Sequence, residues 1–211
     1  MTETRLGAGQ QRRAFWLKHL HQWHWISSAL CLIGMLLFAV TGITLNHAAQ
    51  IEAKPTVVTR TATAPAEVLA ALAGARHDDK GPVPPALADW LAREFAIDAA
   101  GREAEWQPDE IYVALPRPGG DAWVSVALDD GEAQYERTTR GWVSYLNDLH
   151  KGRNTGAAWS LFLDAFAVAC LVFCVTGLFL LKLHAGGRAA TWPLVGLGLV
   201  LPLVLAVLFI H

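Results

Sequence analysis

The sequence predicts a helical membrane protein with three transmembrane helices and a small α+β domain between the first helix and the second. Hydrophobic residues make up 53% of the 211 residues, and the mean hydropathy is +0.29, which is high for a soluble domain. Three stretches also reach the roughly 20 apolar residues needed to cross a bilayer core about 30 Å thick. They are Ile26 to Leu45, Leu161 to Leu183 and Trp192 to Ile210.

The first span follows a basic segment with Arg12, Arg13 and Lys18. Its apolar run exceeds the roughly 7 to 15 residues of a secretion signal, so we interpret it as a retained anchor. Lys and Arg favour the cytoplasmic side, which places the N-terminus inside and the C-terminus outside. The expected segments are a cytoplasmic segment (1–25), helix 1 (26–47), the outer domain (48–150), helix 2 with its approach (151–184), a cytoplasmic turn (185–191) and helix 3 (192–211).

The middle segment predicts a domain of helices and antiparallel strands. After a linker, "IEAKPTVVTRTATA", the stretches "PAEVLAALAGA" and "PPALADWLAREFAI" are typical of short helices that begin at proline. Strands are predicted in "EIYVALP" and "AWVSVALD", joined by "RPGG", and in "AQYERTT". Gly141 opens a further helix, and His77 is expected to be solvent-exposed. No nucleophile triad, phosphate loop or C-x-x-C is present, and nothing indicates nucleic-acid binding.

One pattern occurs twice in the chain. It consists of L-x-x-L-H, an apolar span containing L-x-F-x-V-T-G, and a histidine that follows the span. Because the two spans cross in opposite directions, the copies predict an inverted repeat of helices 1 and 2. The repeat places His21 with His184 near the cytoplasmic face, and His47 with His150 near the outer face.

Two imidazoles from neighbouring helices are what six-coordinate haem iron requires, since the porphyrin supplies the other four nitrogens. The sequence lacks C-x-x-C-H, so the cofactor expected is non-covalent haem b, in two copies. Gly42 and Gly177 would let the backbone approach a flat ring closely. His21 and His47 would lie roughly 39 Å apart on a continuous helix, so His24, one turn deeper, is kept as the alternative to His21.

Other polar residues near the spans have two interpretations each. Asp164 either accepts a proton or bonds a ligand imidazole, or lies in the headgroup region. Lys151 and Arg153 either neutralise haem propionates or attract an anionic substrate, or are solvated interfacial charges. The ordinary interpretation is favoured for His211, at the chain end, and for the three cysteines, as helix-packing residues; these are Cys31, Cys170 and Cys174.

The two histidine-containing stretches resemble the PepSY-associated transmembrane family, in particular its smaller three-span branch. The resemblance rests on L-H-x-W at His21, on L-H-x-G at His150 and on the Thr-Gly spans. It covers nearly the whole chain and implies a PepSY-like middle domain outside a bacterial inner membrane. Four-span members include bacterial inner-membrane reductases for siderophore-bound iron, which resemble di-haem cytochromes b. The resemblance therefore implies that the histidines at positions 21, 47, 150 and 184 carry the haem iron.

The resemblance implies transfer of electrons from a cytosolic reductant or membrane quinol to a periplasmic acceptor, with ferric siderophore favoured. The chain would then be a haem-dependent ferric reductase in contact with membrane lipid. The sequence leaves a homo-oligomer open. The alternative is a haem-free membrane adaptor or regulatory protein whose PepSY-like domain binds a periplasmic partner.

Overall fold

A computed structural model describes residues 7–51, 54–75, 79–185 and 187–210. The chain divides into two compact units, one made of Met1–Leu36 and Leu163–His211 and the other of Leu37–Phe162. The helices are α1 (Ala8–Asn46), α2 (Ala66–Gly74), α3 (Pro85–Phe95), α4 (Trp142–Lys151), α5 (Ala157–His184) and α6 (Thr191–Phe209). The strands are β1 (Thr56–Thr63), β2 (Lys80–Pro82), β3 (Glu103–Trp106), β4 (Glu110–Ala114), β5 (Gly120–Ala127) and β6 (Glu132–Thr139).

Three helices in the described part of the chain are long and apolar enough to cross a membrane: Gly9–Asn46, Ala157–His184 and Thr191–Phe209. The first differs from expectation, because α1 begins well before the predicted span. No glycine or proline interrupts residues 10–33, so nothing in the backbone ends the helix at the basic segment. The predicted boundary at residue 26 is therefore a change of polarity within one continuous helix.

In the first unit, small residues let α1 and α5 approach each other. A side chain at Gly34 would collide with the ring of Phe166. Cys31 is fully buried, and Cys170 on α5 is one of its neighbours. In contrast, α6 has no buried residue. A helix that is apolar on every side and unburied within the protein has the character of a lipid-facing span.

The proximity of Cys31 to Cys170 gives a direct test of how these helices pair. Oxidation of the full chain should link the two residues, because a disulfide forms between cysteines that lie close together. The Cys170→Ala variant should lose the linked peptide in non-reducing mass spectrometry. Cys174, exposed one turn further along α5, is the matched control, and Cys174→Ala should keep the link. A product joining Cys31 to Cys174 would show a different helix rotation.

The second unit contains one six-stranded antiparallel sheet with strand order β1-β6-β5-β4-β3-β2. The predicted helices α2 and α3 and the strands β4, β5 and β6 are confirmed. Alternate residues of β5 point to the core, as its sequence pattern predicts. The largest fully buried side chains of this core are Leu72, Leu87, Leu91, Ile111, Val113, Val124 and Val126.

Three further strands lie outside the sequence prediction. The predicted linker contains β1, an edge strand that pairs with β6 from Thr56↔Thr139 to Thr63↔Glu132. Its threonines and valines have high strand propensity, but nearly all of it is exposed, so it shows no alternation of apolar and polar residues. The strands β2 and β3 are only three and four residues long. Such short strands carry too little periodicity to be recognised.

The ion pair between Lys80 and Glu105 links these two short strands. The residues face each other in the β2–β3 register, and Lys80 Nζ lies 3.0 Å from Glu105 Oε1. The hydrogen bond to Glu105, together with the charge of that carboxylate, raises the pKa of Lys80. Both side chains are about half exposed, so the pair contributes little to stability.

Candidate functional site

The first histidine cluster joins α1 to α5 and consists of His21, His24, Thr176, Gly177 and His184. Its central feature is the approach of His21 to His184. Their ring centroids are 5.6 Å apart and the ring planes are nearly perpendicular, at 89°. The structure therefore brings together the pair that the sequence predicts for one end of the two spans.

Both rings are held by their own helices. The Nδ1 atom of His21 lies 2.8 Å from the carbonyl oxygen of Leu17, and that of His184 lies 2.8 Å from the carbonyl oxygen of Leu180. A carbonyl oxygen can only accept a hydrogen bond, so Nδ1 carries the proton in each ring. In the neutral imidazole this leaves the Nε2 lone pair available, which is the arrangement found in metal-binding histidines.

His24 has a different environment from His21. Its Nδ1 lies 3.0 Å from Thr176 Oγ1 and 3.2 Å from the carbonyl oxygen of Phe173, and its ring stacks on the Phe173 ring at 4.7 Å and 14°. A Cβ atom at Gly177 would lie 3.2 Å from His24 Cε1. His24 is therefore seated against α5, whereas His21 faces His184.

The second histidine cluster lies in the other unit and consists of Thr41, Gly42, His47, Asn147 and His150. His150 Nδ1 lies 2.7 Å from Thr41 Oγ1, and its ring packs against Phe38 at 4.8 Å. The Thr41 hydroxyl donates its own hydrogen to the carbonyl of Leu37 at 2.9 Å. It therefore accepts from His150, which again leaves Nε2 of the imidazole free.

His47 does not meet His150 in this structure. Its Nδ1 lies 2.9 Å from the carbonyl oxygen of Ile43, which fixes the same tautomer as in His21 and His184. The ring is exposed and makes no ring contact in the described part of the chain. Nδ1 is thus engaged in both His47 and His150, but the structure does not bring the two rings into contact.

The two clusters share a feature that the sequence contains without revealing its role. Each includes Phe-x-Val-Thr-Gly, at residues 38–42 and 173–177, and each motif receives an imidazole on its Phe, Thr and Gly positions. Gly42 and Gly177 therefore lie beside histidine rings and do not border an open gap between the helices. The signal in the sequence is the phenylalanine repeated three residues before each threonine.

The contacts also change how the two copies correspond. The L-x-x-L-H pattern aligns His21 with His150, but the residue whose surroundings match those of His150 is His24. Both His24 and His150 have Nδ1 at a threonine hydroxyl and a ring beside a glycine. The inverted repeat itself stays a prediction. By their contacts, the residue of α1 that corresponds to His150 is His24, one helical turn after His21.

Three hydrogen bonds hold α4, and therefore His150, in place. The side chains of Thr44 and Asn147 are hydrogen-bonded at 2.8 Å, and Trp159 Nε1 donates to the carbonyl of Leu149 at 2.9 Å. The backbone N–H of Gly119, in the β4–β5 turn, donates to Asp148 Oδ2 at 2.8 Å. The sheet domain thus fixes the helix that carries the histidine.

The remaining predicted site residues are peripheral. Asp164, Lys151 and Arg153 are exposed and form no ion pair within the described ranges. His77 and His211 lie outside the described residues. No group of three or more His, Cys, Asp or Glu side chains in the described part of the chain could hold a metal ion. A metal ion bound by these residues would therefore depend on pairs of imidazoles.

An apolar cavity of about 390 Å³ adjoins the first cluster. Its lining includes Leu20 and Leu183, the immediate chain neighbours of His21 and His184, together with the aromatic side chains of Trp16 and Phe179. Among the described residues that line it, Lys182 is the one charged group. The apolar lining and the one cation would suit a ligand that is mostly apolar and carries an acidic group.

Comparison with known families finds one family model that matches nearly the whole chain. The family model described as "Putative PepSY_TM-like" matches residues 15–211, which include all three candidate spans and the sheet domain between the first and second of them. No curated protein and no solved structure matches the chain. The extent of this match shows that the chain belongs to the PepSY_TM-like family.

Proposed function

We propose that the protein is a haem b electron-transfer protein of the bacterial inner membrane. The proposal is that it reduces a periplasmic acceptor, with ferric siderophore iron as the favoured substrate. The observation that carries it is the close, nearly perpendicular pair of His21 and His184, with Nδ1 of each ring committed to a backbone carbonyl. Within the described part of the chain, neither Nε2 atom has a hydrogen-bond partner.

The closeness of this pair supports the proposal. The ring centroids are 5.6 Å apart, and an imidazole nitrogen binds a metal ion such as zinc at about 2.0 Å, so both rings could reach one metal ion. The neighbouring apolar cavity with Lys182 supports the same assignment. The apolar porphyrin ring favours an apolar lining, and a propionate group favours a nearby cation.

The protein side chains would bind and orient the cofactor. His21 and His184 would hold a haem at the first cluster, and the carbonyls of Leu17 and Leu180 would orient their rings through Nδ1. His47 and His150 would do the same for a second haem. When bound, haem supplies reversible one-electron chemistry at iron. Reduction of the substrate would weaken the hold of hard oxygen ligands on its iron and release it.

Spectroscopy of the purified full chain tests this proposal. We expect a reduced-minus-oxidised spectrum with a sharp α band typical of haem b with two imidazole ligands, and an iron-porphyrin content of up to two per chain. Ferric siderophore added to the reduced protein should reoxidise it. A colourless protein from haem-replete cells would contradict the proposal and favour the adaptor function.

The adaptor function has one structural observation in its favour. The rings of His24 and His150 are satisfied at Nδ1 by threonine hydroxyls and packed on phenylalanine and glycine. Histidines held in this way could serve only to join helices. In that case, the function of the protein would be the binding of a periplasmic partner by the sheet domain.

A further inference from the structure

The six-stranded sheet has one covered face and one open face. Buried strand residues such as Val113 and Val124 belong to the hydrophobic core that includes residues of α2 and α3. The residues that alternate with them along β4 and β5 point to the opposite side of the sheet. Among these, Tyr112 and Trp123 are partly exposed. The open face is therefore accessible to a partner.

Two aromatic rings lie together near the middle of the open face. The rings of Tyr112 and Trp123 are stacked, with centroids 5.9 Å apart and planes inclined by 27°. They come from β4 and β5, the two central strands of the sheet. The solvated face of an antiparallel sheet usually carries polar residues, whereas tyrosine and tryptophan are enriched at protein–protein interfaces. The pair therefore favours a binding role for this face.

Carboxylates surround the aromatic pair: Glu105, Glu110, Asp121 and Glu136. Glu105 lies directly opposite Tyr112 in the β3–β4 register, and Glu136 lies directly opposite Trp123 in the β5–β6 register. The other two precede the rings by two positions on β4 and β5, so they share the same face. Burial raises the pKa of the Tyr112 hydroxyl, and the negative charges of these carboxylates raise it further. The rings therefore lie in a negative electrostatic environment.

The charge of this face is not balanced within the sheet. Lys80 is the one cation among the strand residues of the open face, and it is paired with Glu105. Glu110, Asp121 and Glu136 form no ion pair in the described part of the chain. A cation over the aromatic rings would therefore be attracted by the rings and by uncompensated carboxylates. The surface is complementary to a cationic partner, and it would be repelled by an anionic membrane surface.

We propose that the open face around Tyr112 and Trp123 is a docking surface for a basic segment of a partner protein. Neighbouring strands are about 4.8 Å apart, so the carboxylates from β3 to β6 are spread over about 14 Å. This is wider than one small cation can contact, but an extended segment presents side chains to one side about every 7 Å. Lysine or arginine at alternate positions would reach successive carboxylates, and the aromatic pair would contact their alkyl stems. The surface uses none of the proposed haem ligands, so this proposal does not depend on haem.

The test measures binding of a fluorescein-labelled decapeptide of alternating lysine and threonine to the full chain in nanodiscs of neutral phosphatidylcholine. Fluorescence anisotropy gives the affinity. The double variant Asp121→Asn/Glu136→Gln removes two charges of the open face, and affinity should fall at least about tenfold. The matched control is Glu67→Gln/Asp89→Asn, which removes two exposed charges from α2 and α3 on the covered side. It should change the affinity by less than about twofold.

Trp123→Leu separates the contribution of the aromatic pair from that of the charges. It removes one ring without changing the net charge, and affinity should fall about two- to fivefold. Equal weakening by the two double variants would show that the peptide responds only to net charge, and this would overturn the proposal. Absence of peptide binding would overturn it too, as would spermidine binding as tightly as the peptide, because the ligand would then be a small cation. The double variants keep the test decisive if Trp123→Leu fails to fold.

Discussion

Replacement of His184 by alanine is expected to remove one of the two haems that the proposed function assigns to the protein. The substitution takes away one of the two rings that lie 5.6 Å apart, and a single remaining imidazole cannot hold six-coordinate iron. The iron-porphyrin content per chain should fall by about half, and the band shape of the remaining haem should be unchanged. The pyridine haemochrome assay of purified protein measures this content directly.

The partner ligand is identified by two variants on α1. His21→Ala should reproduce the loss seen with His184→Ala, because His21 faces His184. His24→Ala should keep the haem, since it removes only the contacts to Thr176, Phe173 and Gly177. His19, which packs on Phe15 at 4.2 Å, is the matched control and its replacement should have no effect. If His24→Ala alone lost the haem, the assignment of His21 would be wrong.

The sequence predicted the elements that carry a strong period or a clear terminator. The amphipathic spacing of α3, from Leu87 to Phe95, and the proline before it were sufficient to place that helix. The inward alternation of Val124 and Val126 placed β5 in the same way. Strand β1 could not be predicted because it is exposed on both sides. Its stability comes from pairing with β6, a partner about 75 residues away that local pattern cannot show.

The site was predictable in its residue types but not in its contacts. Repetition of a motif was enough to single out His21 and His184, which the structure brings together. It could not show that His150 sits on Thr41, because this depends on how α4 is held by Asp148 and Asn147. Those anchors come from the β4–β5 turn and from α1. Hydrogen bonds between distant segments leave no periodic trace in a sequence.

The β4–β5 turn should therefore be a sensitive point of the second unit. Gly119 has a φ of 71°, and a Cβ atom there would lie 2.7 Å from Tyr145 Cα, in the backbone of α4. Gly119→Ala would incur left-handed backbone strain of about 1 kcal/mol and a backbone clash of roughly 1–3 kcal/mol. We expect the sheet domain to lose about 3 kcal/mol of stability and α4 to move.

Gly101 provides the control that separates the two contributions. Its φ of 69° nearly equals that of Gly119, but a Cβ atom there would meet nothing within 4 Å. Gly101→Ala should therefore cost only the backbone strain. Tryptophan fluorescence during heating of the full chain should show a fall in Tm of about 4–8 °C for Gly101→Ala and at least twice that for Gly119→Ala. Equal shifts would mean that the turn does not press on α4. In that case the turn would shift away from α4 at little cost. The hydrogen bond from the Gly119 N–H to Asp148 would then not be what holds α4 and His150 in place.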